Sequence, residues 1–157
     1  MRGPQAGELA PDFTLSGVPH SKYRLSDQRG KRVVLAFYPG DFTPVCTSQL
    51  SSYAANFDTF ARTGAVLWGI STDDLESHER FAKARALGFP LLADVDGIVA
   101  RLYGTQGLLG TANRSVFVID ERGRITWRKD EPLSLTYSEL DEIVSQLDEI
   151  SESGIGL

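Results

Sequence analysis

A single cysteine stands in this chain of 157 residues: Cys46, three positions after Thr43 and two after Pro44. One thiol cannot close an internal disulfide, so Cys46 is an inert buried thiol, half of an intermolecular bridge, or a reactive group. Its surroundings weigh between these. In Tyr38-Pro39-Gly40-Asp41-Phe42-Thr43-Pro44-Val45-Cys46-Thr47, Thr43 suits a helix N-cap. Pro44 suits the first helical position, where a missing N–H costs nothing and φ is already helical. Cys46 then falls at the third helical position, over the unpaired N–H groups of the first turn, where a capping box ordinarily places a carboxylate. A thiol there ionises more readily than a free one, the more so beside Arg or Lys. A core thiol has no reason to occupy a capped first turn behind a Gly/Pro-containing loop, so the reactive reading is preferred. The two histidines, His20 and His78, lie far apart, and neither has a metal-ligating partner four residues on. Both are expected to be solvated, and no metal and no cofactor is expected.

The elements that must position Cys46 are legible on either side of it. Val33 to Tyr38 is a nearly unbroken apolar run between Lys31-Arg32 and Pro39-Gly40, which suits a central strand covered on both faces. After it, Leu50, Tyr53, Phe57 and Phe60 recur at helical spacing, predicting an amphipathic helix from Pro44 to about Arg62, ended by Gly64. Ala65 to Ser71 reads as a second buried strand. Asp73 or Asp74 then caps a helix running through Phe81, Ala84 and Leu87 to Gly88. Pro90 to Ala93 is a short strand, followed by a helical turn with Ile98, Val99 and Leu102 on one side. Ser115 to Ile119 and Ile125 to Arg128 form an antiparallel hairpin across Asp120-Glu121-Arg122-Gly123. Tyr137 to Ile150 closes the domain as a helix with Leu140, Ile143, Val144 and Leu147 inward, and a loose tail follows from Ser151 to Leu157.

Two βα units, further strands, a hairpin and a final helix make one α/β domain over residues 1–157, a mixed sheet between helical layers on the thioredoxin plan. Phe13 and Leu15, then Tyr23 and Leu25, add a small amino-terminal hairpin. Ligands of open α/β sheets gather beyond the carboxyl ends of the strands, where the Cys46 loop lies.

Pro39, Thr43 and Cys46, spaced Pro-x-x-x-Thr-x-x-Cys after the apolar strand, resemble the active-site motif of peroxiredoxins. Phe37-Tyr38-Pro39 with Thr43-Pro44-Val45-Cys46-Thr47 is similar to the bacterioferritin-comigratory (PrxQ-like) subfamily. Gly7 to Leu15 matches that family's opening G-x-x-A-P-D-F-x-L, and Asn113-Arg114-Ser115-Val116-Phe117-Val118-Ile119-Asp120 resembles its far end, so the likeness spans almost the whole chain. The resemblance implies a thiol-dependent peroxidase in which Cys46 attacks a peroxide oxygen. Thr43 would orient thiolate and peroxide through its hydroxyl, and it can be an N-cap as well. Arg114 would donate bidentately to the thiolate and the peroxide oxygens. Pro39 would shield the substrate pocket from water, and the Val45 and Cys46 amides would donate to the reacting oxygens. Gln49, one turn beyond Cys46, is assigned no role. Relatives place a second, resolving cysteine where Ser51 or Ala82 stands here. The cycle therefore requires an external thiol reductant: thioredoxin, glutaredoxin or a low-molecular-weight thiol.

Composition narrows the partners. A formal net charge of -5 argues against nucleic acid, which is bound through a basic face. No stretch approaches the run of about 20 apolar residues that crosses a bilayer, and Met1 to Ala10 lacks a signal core, so no membrane partner and a cytoplasmic location are expected, as monomer or weak homodimer. A dithiol oxidoreductase needs a second cysteine. A peroxide sensor or holdase on the same fold is the alternative, separated from an enzyme by turnover. Trp68 and Trp127 read as core or sheet-face packing.

Overall fold

The computed structural model describes residues 3–19, 21–107, 111–131 and 142–148. Its centre is a seven-stranded mixed sheet built from β1 (Thr14–Val18), β2 (Lys22–Arg24), β3 (Val33–Phe37), β4 (Val66–Ser71), β5 (Leu91–Ala93), β6 (Arg114–Ile119) and β7 (Ile125–Glu131), in the order β2-β1-β5-β4-β3-β6-β7. Helices α1 (Pro44–Ala55), α2 (Phe57–Ala61), α3 (Leu75–Ala84) and α4 (Ile98–Leu102) connect the strands, and residues 142–148 form a further helix, α5.

β3 is buried along its whole length because both faces carry apolar side chains. Val33, Leu35 and Phe37 enter one core with Trp68, Tyr103 and Phe117, whereas Val34 and Ala36 enter the other with Cys46, Leu50, Tyr53 and Phe60. β3 pairs with β4 in parallel (Leu35 opposite Trp68) and with β6 antiparallel (Phe37 opposite Ser115). The antiparallel pairing brings the start of β6 beside the carboxyl end of β3. Residues far apart in sequence are thus set around one end of the central strand.

The expected hairpin does form between β1 and β2, with Leu15 opposite Tyr23, and β1 also pairs with β5, so it extends the main sheet. The second hairpin runs as expected, with Asp120 accepting from the amides of Arg122 and Arg124. Trp68 is core, and Trp127 is packed partly buried.

Three expectations need correction. The aromatic helix is not continuous to Arg62: it breaks at Asn56, whose backbone leaves helical values (φ -109°, ψ 15°) while its side-chain amide donates back to the Ser52 carbonyl at 2.9 Å. The helix after Asp74 stops at Ala84, and Ala86 takes φ 52°. In α4 the apolar residues do not share a side: Val99 and Ala100 are buried, but Ile98 and Leu102 are exposed. The Asp94 carboxylate accepts from the Val99 and Ala100 amides, which sets the phase of that short helix. Of the predicted closing helix, Ile143 and Leu147 are buried and Val144 is partly buried. Leu140 and the tail from Ser151 lie outside the described residues.

Candidate active site

The loop that follows β3 delivers the chain into α1 as the sequence predicted. Thr43 is the N-cap residue with extended backbone (φ -76°, ψ 150°), Pro44 is the first helical residue, and Cys46 is the third. Cys46 is fully buried. The expected cap does not form through the Thr43 side chain: its hydroxyl donates to the Gly40 carbonyl at 3.0 Å. No acidic residue lies in the first turn either. The amides at the second and third positions, Val45 and Cys46, have no partner within the helix, and neither the cap side chain nor a first-turn carboxylate takes them. Pro39 and Val45 are half-buried in the same segment.

Arg114 opens β6 and is 2% exposed. Its Nη2 donates to Cys46 Sγ at 2.9 Å, and its Nη1 donates to Gln49 Oε1. The bidentate donation expected toward the sulfur and peroxide is thereby divided, with one amino group on Cys46 and the other on Gln49. Gln49 is itself fully buried and donates from Nε2 to the Tyr53 hydroxyl at 3.1 Å. Since Cys46, Gln49 and Tyr53 are spaced three and four residues apart, they share one face of α1. That spacing was the signal for Gln49, which the sequence alone left without a role.

A second polar cluster underlies the loop. The Tyr38 hydroxyl donates to Asp41 Oδ1 at 2.7 Å, and the Ser77 hydroxyl donates to Asp41 Oδ2 at 2.8 Å. His78 Nδ1 lies 2.8 Å from the same Oδ2, and His78 Nε2 lies 2.9 Å from the Leu92 carbonyl oxygen. Asp73 Oδ2 accepts from the Asp41 amide at 2.7 Å and from the Ser71 hydroxyl at 2.6 Å. His78 is therefore fully buried and not solvated as its charged helix suggested, because α3 turns this one polar position onto the sheet. His20 lies outside the described residues. Asp41, Asp73 and His78 hold their potential ligand atoms within 4.8 Å of one another, and those atoms are engaged in the hydrogen bonds just given. Burial first, then the charge and hydrogen bond of Asp41, hold the Tyr38 phenol well above its ordinary range.

Between these clusters, Phe42 adopts φ 64°, a conformation costly for a residue with a Cβ. Its ring meets Phe81 of α3 edge-on at 4.9 Å. What the assembled groups can do is chemically narrow: a buried sulfur faces a guanidinium and the open first turn of a helix, an arrangement of donors that suits attack by sulfur and an anionic leaving oxygen.

Comparison with known proteins points the same way. The AhpC/TSA family model matches residues 6–128. Peroxiredoxin Bcp of Bacillus subtilis is 36% identical over 134 residues, 80% of this chain and 85% of the relative. The putative peroxiredoxin bcp of Helicobacter pylori J99 is 39% identical over 126 residues, 76% and 83% of the two chains. Among solved structures, peroxidoxin BcpB from Mycobacterium tuberculosis superposes with a TM-score of 0.82 at 31% identity, over 94% of this chain and 98% of that one. The reduced 2-Cys peroxiredoxin of Plasmodium vivax gives 0.87 at 27% identity, over 94% and 82%.

Proposed function

This chain belongs to the AhpC/TSA family and is a thiol-dependent peroxidase, and from that premise we propose how its own residues carry out the reaction. The observation that carries the reading is the buried Cys46 at the third position of α1 with Arg114 Nη2 at 2.9 Å. The Cys46 thiolate attacks one oxygen of hydrogen peroxide or an organic hydroperoxide. The S–O bond forms as the O–O bond breaks, and the bonding pair leaves on the distal oxygen, which takes a proton to become water or an alcohol. Arg114 holds the sulfur, and the Val45 and Cys46 amides donate to the reacting oxygens.

Thr43 takes a more definite part than its hydroxyl alone suggested. Because its proton is committed to the Gly40 carbonyl, the oxygen offers lone pairs only, so it accepts from the hydroperoxide O–H and orients that substrate. Pro39 and Val45 line the approach and keep water out.

The sulfenic acid left on Cys46 has no second cysteine to meet, since the chain contains one. An external thiol attacks the sulfenic sulfur, releasing water and forming a mixed disulfide, and a further thiol displaces Cys46 as thiolate. The reductant class is thioredoxin, glutaredoxin or a low-molecular-weight thiol, the setting cytoplasmic, and the working form a monomer or weak homodimer. The acidic net charge agrees with a partner that is not nucleic acid, and among the described residues no helix is long and apolar enough to cross a membrane.

The test is stopped-flow oxidation of the reduced protein by hydrogen peroxide and by cumene hydroperoxide, followed through tryptophan fluorescence and sulfenic-acid trapping. The expected result is a rate constant orders of magnitude above that of free cysteine, continued consumption when reductant is supplied, and no consumption by Cys46→Ser. Turnover that stops after about one peroxide per thiol with reductant present would favour a sensor.

A further inference from the structure

We infer that His78 is a positioning residue for the peroxide reaction, acting through Asp41 on the loop that carries Thr43 and the start of α1. This rests on the peroxidase reading of Cys46 given above.

Each ring nitrogen of His78 has its own partner. Nε2 of His78 faces the carbonyl oxygen of Leu92 at 2.9 Å, an acceptor only, so Nε2 carries a proton. Nδ1 faces Asp41 Oδ2 at 2.8 Å, and both carboxylate oxygens already accept, from Tyr38 and from Ser77. His78 and Asp41 are thus joined side chain to side chain in a network with no side-chain exposure, where a buried polar group that loses its partner is costly. The groups facing this pair are the Tyr38 hydroxyl at the end of β3, Asp73 and Ser77 around the start of α3, and the Leu92 carbonyl on β5.

The loop is fastened to the body of the fold at Asp41. Its side chain is held from α3 by Ser77 and His78, and its amide is held by Asp73. The very next residue is Phe42, in its left-handed conformation, and the one after is Thr43, whose hydroxyl is bonded to Gly40 within the same loop. A conformation of that kind persists only where its surroundings over-determine it. Releasing the pair therefore shifts the Thr43 oxygen and the first-turn amides relative to Cys46 Sγ, which Arg114 still holds from the other side. A misplacement on the order of 1 Å in such a site costs up to about 100-fold in rate.

Two substitutions separate the two ring nitrogens. His78→Asn keeps a donor at the place of Nδ1, toward Asp41, and loses the one toward Leu92; His78→Gln does the opposite. The peroxide oxidation rate constant of Cys46 is measured for both, with the alkylation rate by iodoacetamide and the thermal unfolding midpoint alongside. Oxidation within about threefold of the unsubstituted protein for His78→Asn and a fall of about 10-fold or more for His78→Gln, with alkylation not slowed, is the expected result. Equal losses, no loss in either, or the reverse order would overturn the inference, because a ring that merely fills space does not distinguish which nitrogen is retained. Should His78→Gln fail to fold, Ser77→Ala removes a single α3 donor from Asp41 at a half-buried helix position. A fall of about threefold is then expected, and an unchanged rate would overturn the inference. Unsubstituted protein that reacts no faster than free cysteine fails the underlying peroxidase reading before any variant is compared.

Discussion

Replacing Arg114 by lysine keeps the charge and removes the geometry, which makes it the sharpest probe of the site. Arg114 serves two acceptors on one face of α1, Cys46 Sγ through Nη2 and Gln49 Oε1 through Nη1. A lysine ammonium is a single nitrogen carried about one bond length short of either position, so the contact at 2.9 Å to sulfur opens toward about 4 Å or the Gln49 contact is lost. One charge-assisted hydrogen bond contributes about 1.5–3 kcal/mol. Felt in the transition state, that amounts to a rate constant lower by about 10- to 150-fold, at about 1.4 kcal/mol for each tenfold. A buried Gln49 acceptor left without its donor costs about 1–3 kcal/mol of stability. The assay is stopped-flow oxidation by hydrogen peroxide at several concentrations, paired with denaturant unfolding of the reduced protein. Arg114→Lys is expected to lose rate in that range and to unfold at lower denaturant, with Arg114→Ala slower still. A rate within twofold of the parent at unchanged stability would refute the reasoning, since it would mean that charge alone, without the divided fork, is what the sulfur requires.

Thr43→Val, which preserves shape and removes the accepting oxygen, is expected to fold normally and to lower the peroxide rate constant by about 10- to 1,000-fold; a drop under twofold would leave Thr43 as a helix-start residue only. Thr43→Asp is expected to raise the unfolding free energy by about 0.5–1 kcal/mol by capping α1 while slowing peroxide oxidation by about 10-fold or more, because the added carboxylate opposes a neighbouring thiolate; opposite signs in calorimetry and stopped flow are the readout. Burial raises the Tyr103 phenol, as burial and Asp41 raise that of Tyr38, so the folded state keeps protons that the unfolded chain releases above about pH 10. Their contribution is whole below that pH and is lost as pH climbs toward the folded values, at about 1.4 kcal/mol per pH unit for each tyrosine; in urea titrations between pH 10 and 11.5, Tyr38→Phe is expected to reduce that slope, and an unchanged slope counts against the assignment.

Much of this was legible because local chemistry and fold agree around Cys46. The Thr43-Pro44 start, the apolar run of β3 and the helical spacing of Leu50 and Tyr53 are local signals, and β3 and the first three turns of the aromatic helix formed where those patterns lie, with Phe60 carried on the separate α2. Arg114 was legible only through resemblance: its 68-residue separation from Cys46 is closed by the antiparallel pairing of β6 with β3, which no local pattern states. Gln49 was left without a role and His78 was expected to be solvated for one reason. Each is polar in a helix with polar neighbours, and what buries it is the tertiary placement of a single helix face. The break at Asn56 depends on a side chain choosing the Ser52 carbonyl over solvent, a competition that spacing does not resolve.

The start of α1 runs against what stability alone would select. Its N-cap residue turns its oxygen to Gly40, the place of a capping-box carboxylate is held by a thiol, and no acidic residue occupies the first turn. A missing side-chain cap costs about 0.5–2 kcal/mol, and the left-handed Phe42 costs about 1–3 kcal/mol more. Both fall within the five residues that end at Cys46. A helix that can leave its first amides unsatisfied must be held elsewhere, and α1 is: Leu50, Tyr53 and the buried Cys46 are packed in one core with β3 and Phe60, while Asp41 is fastened to α3. The amides at Val45 and Cys46 are thereby kept for a group that arrives only with substrate, and the developing anion on the peroxide oxygen is the cap that the resting protein lacks. Any residue that satisfied those amides permanently would stabilise the fold and occupy the position where the reaction takes place.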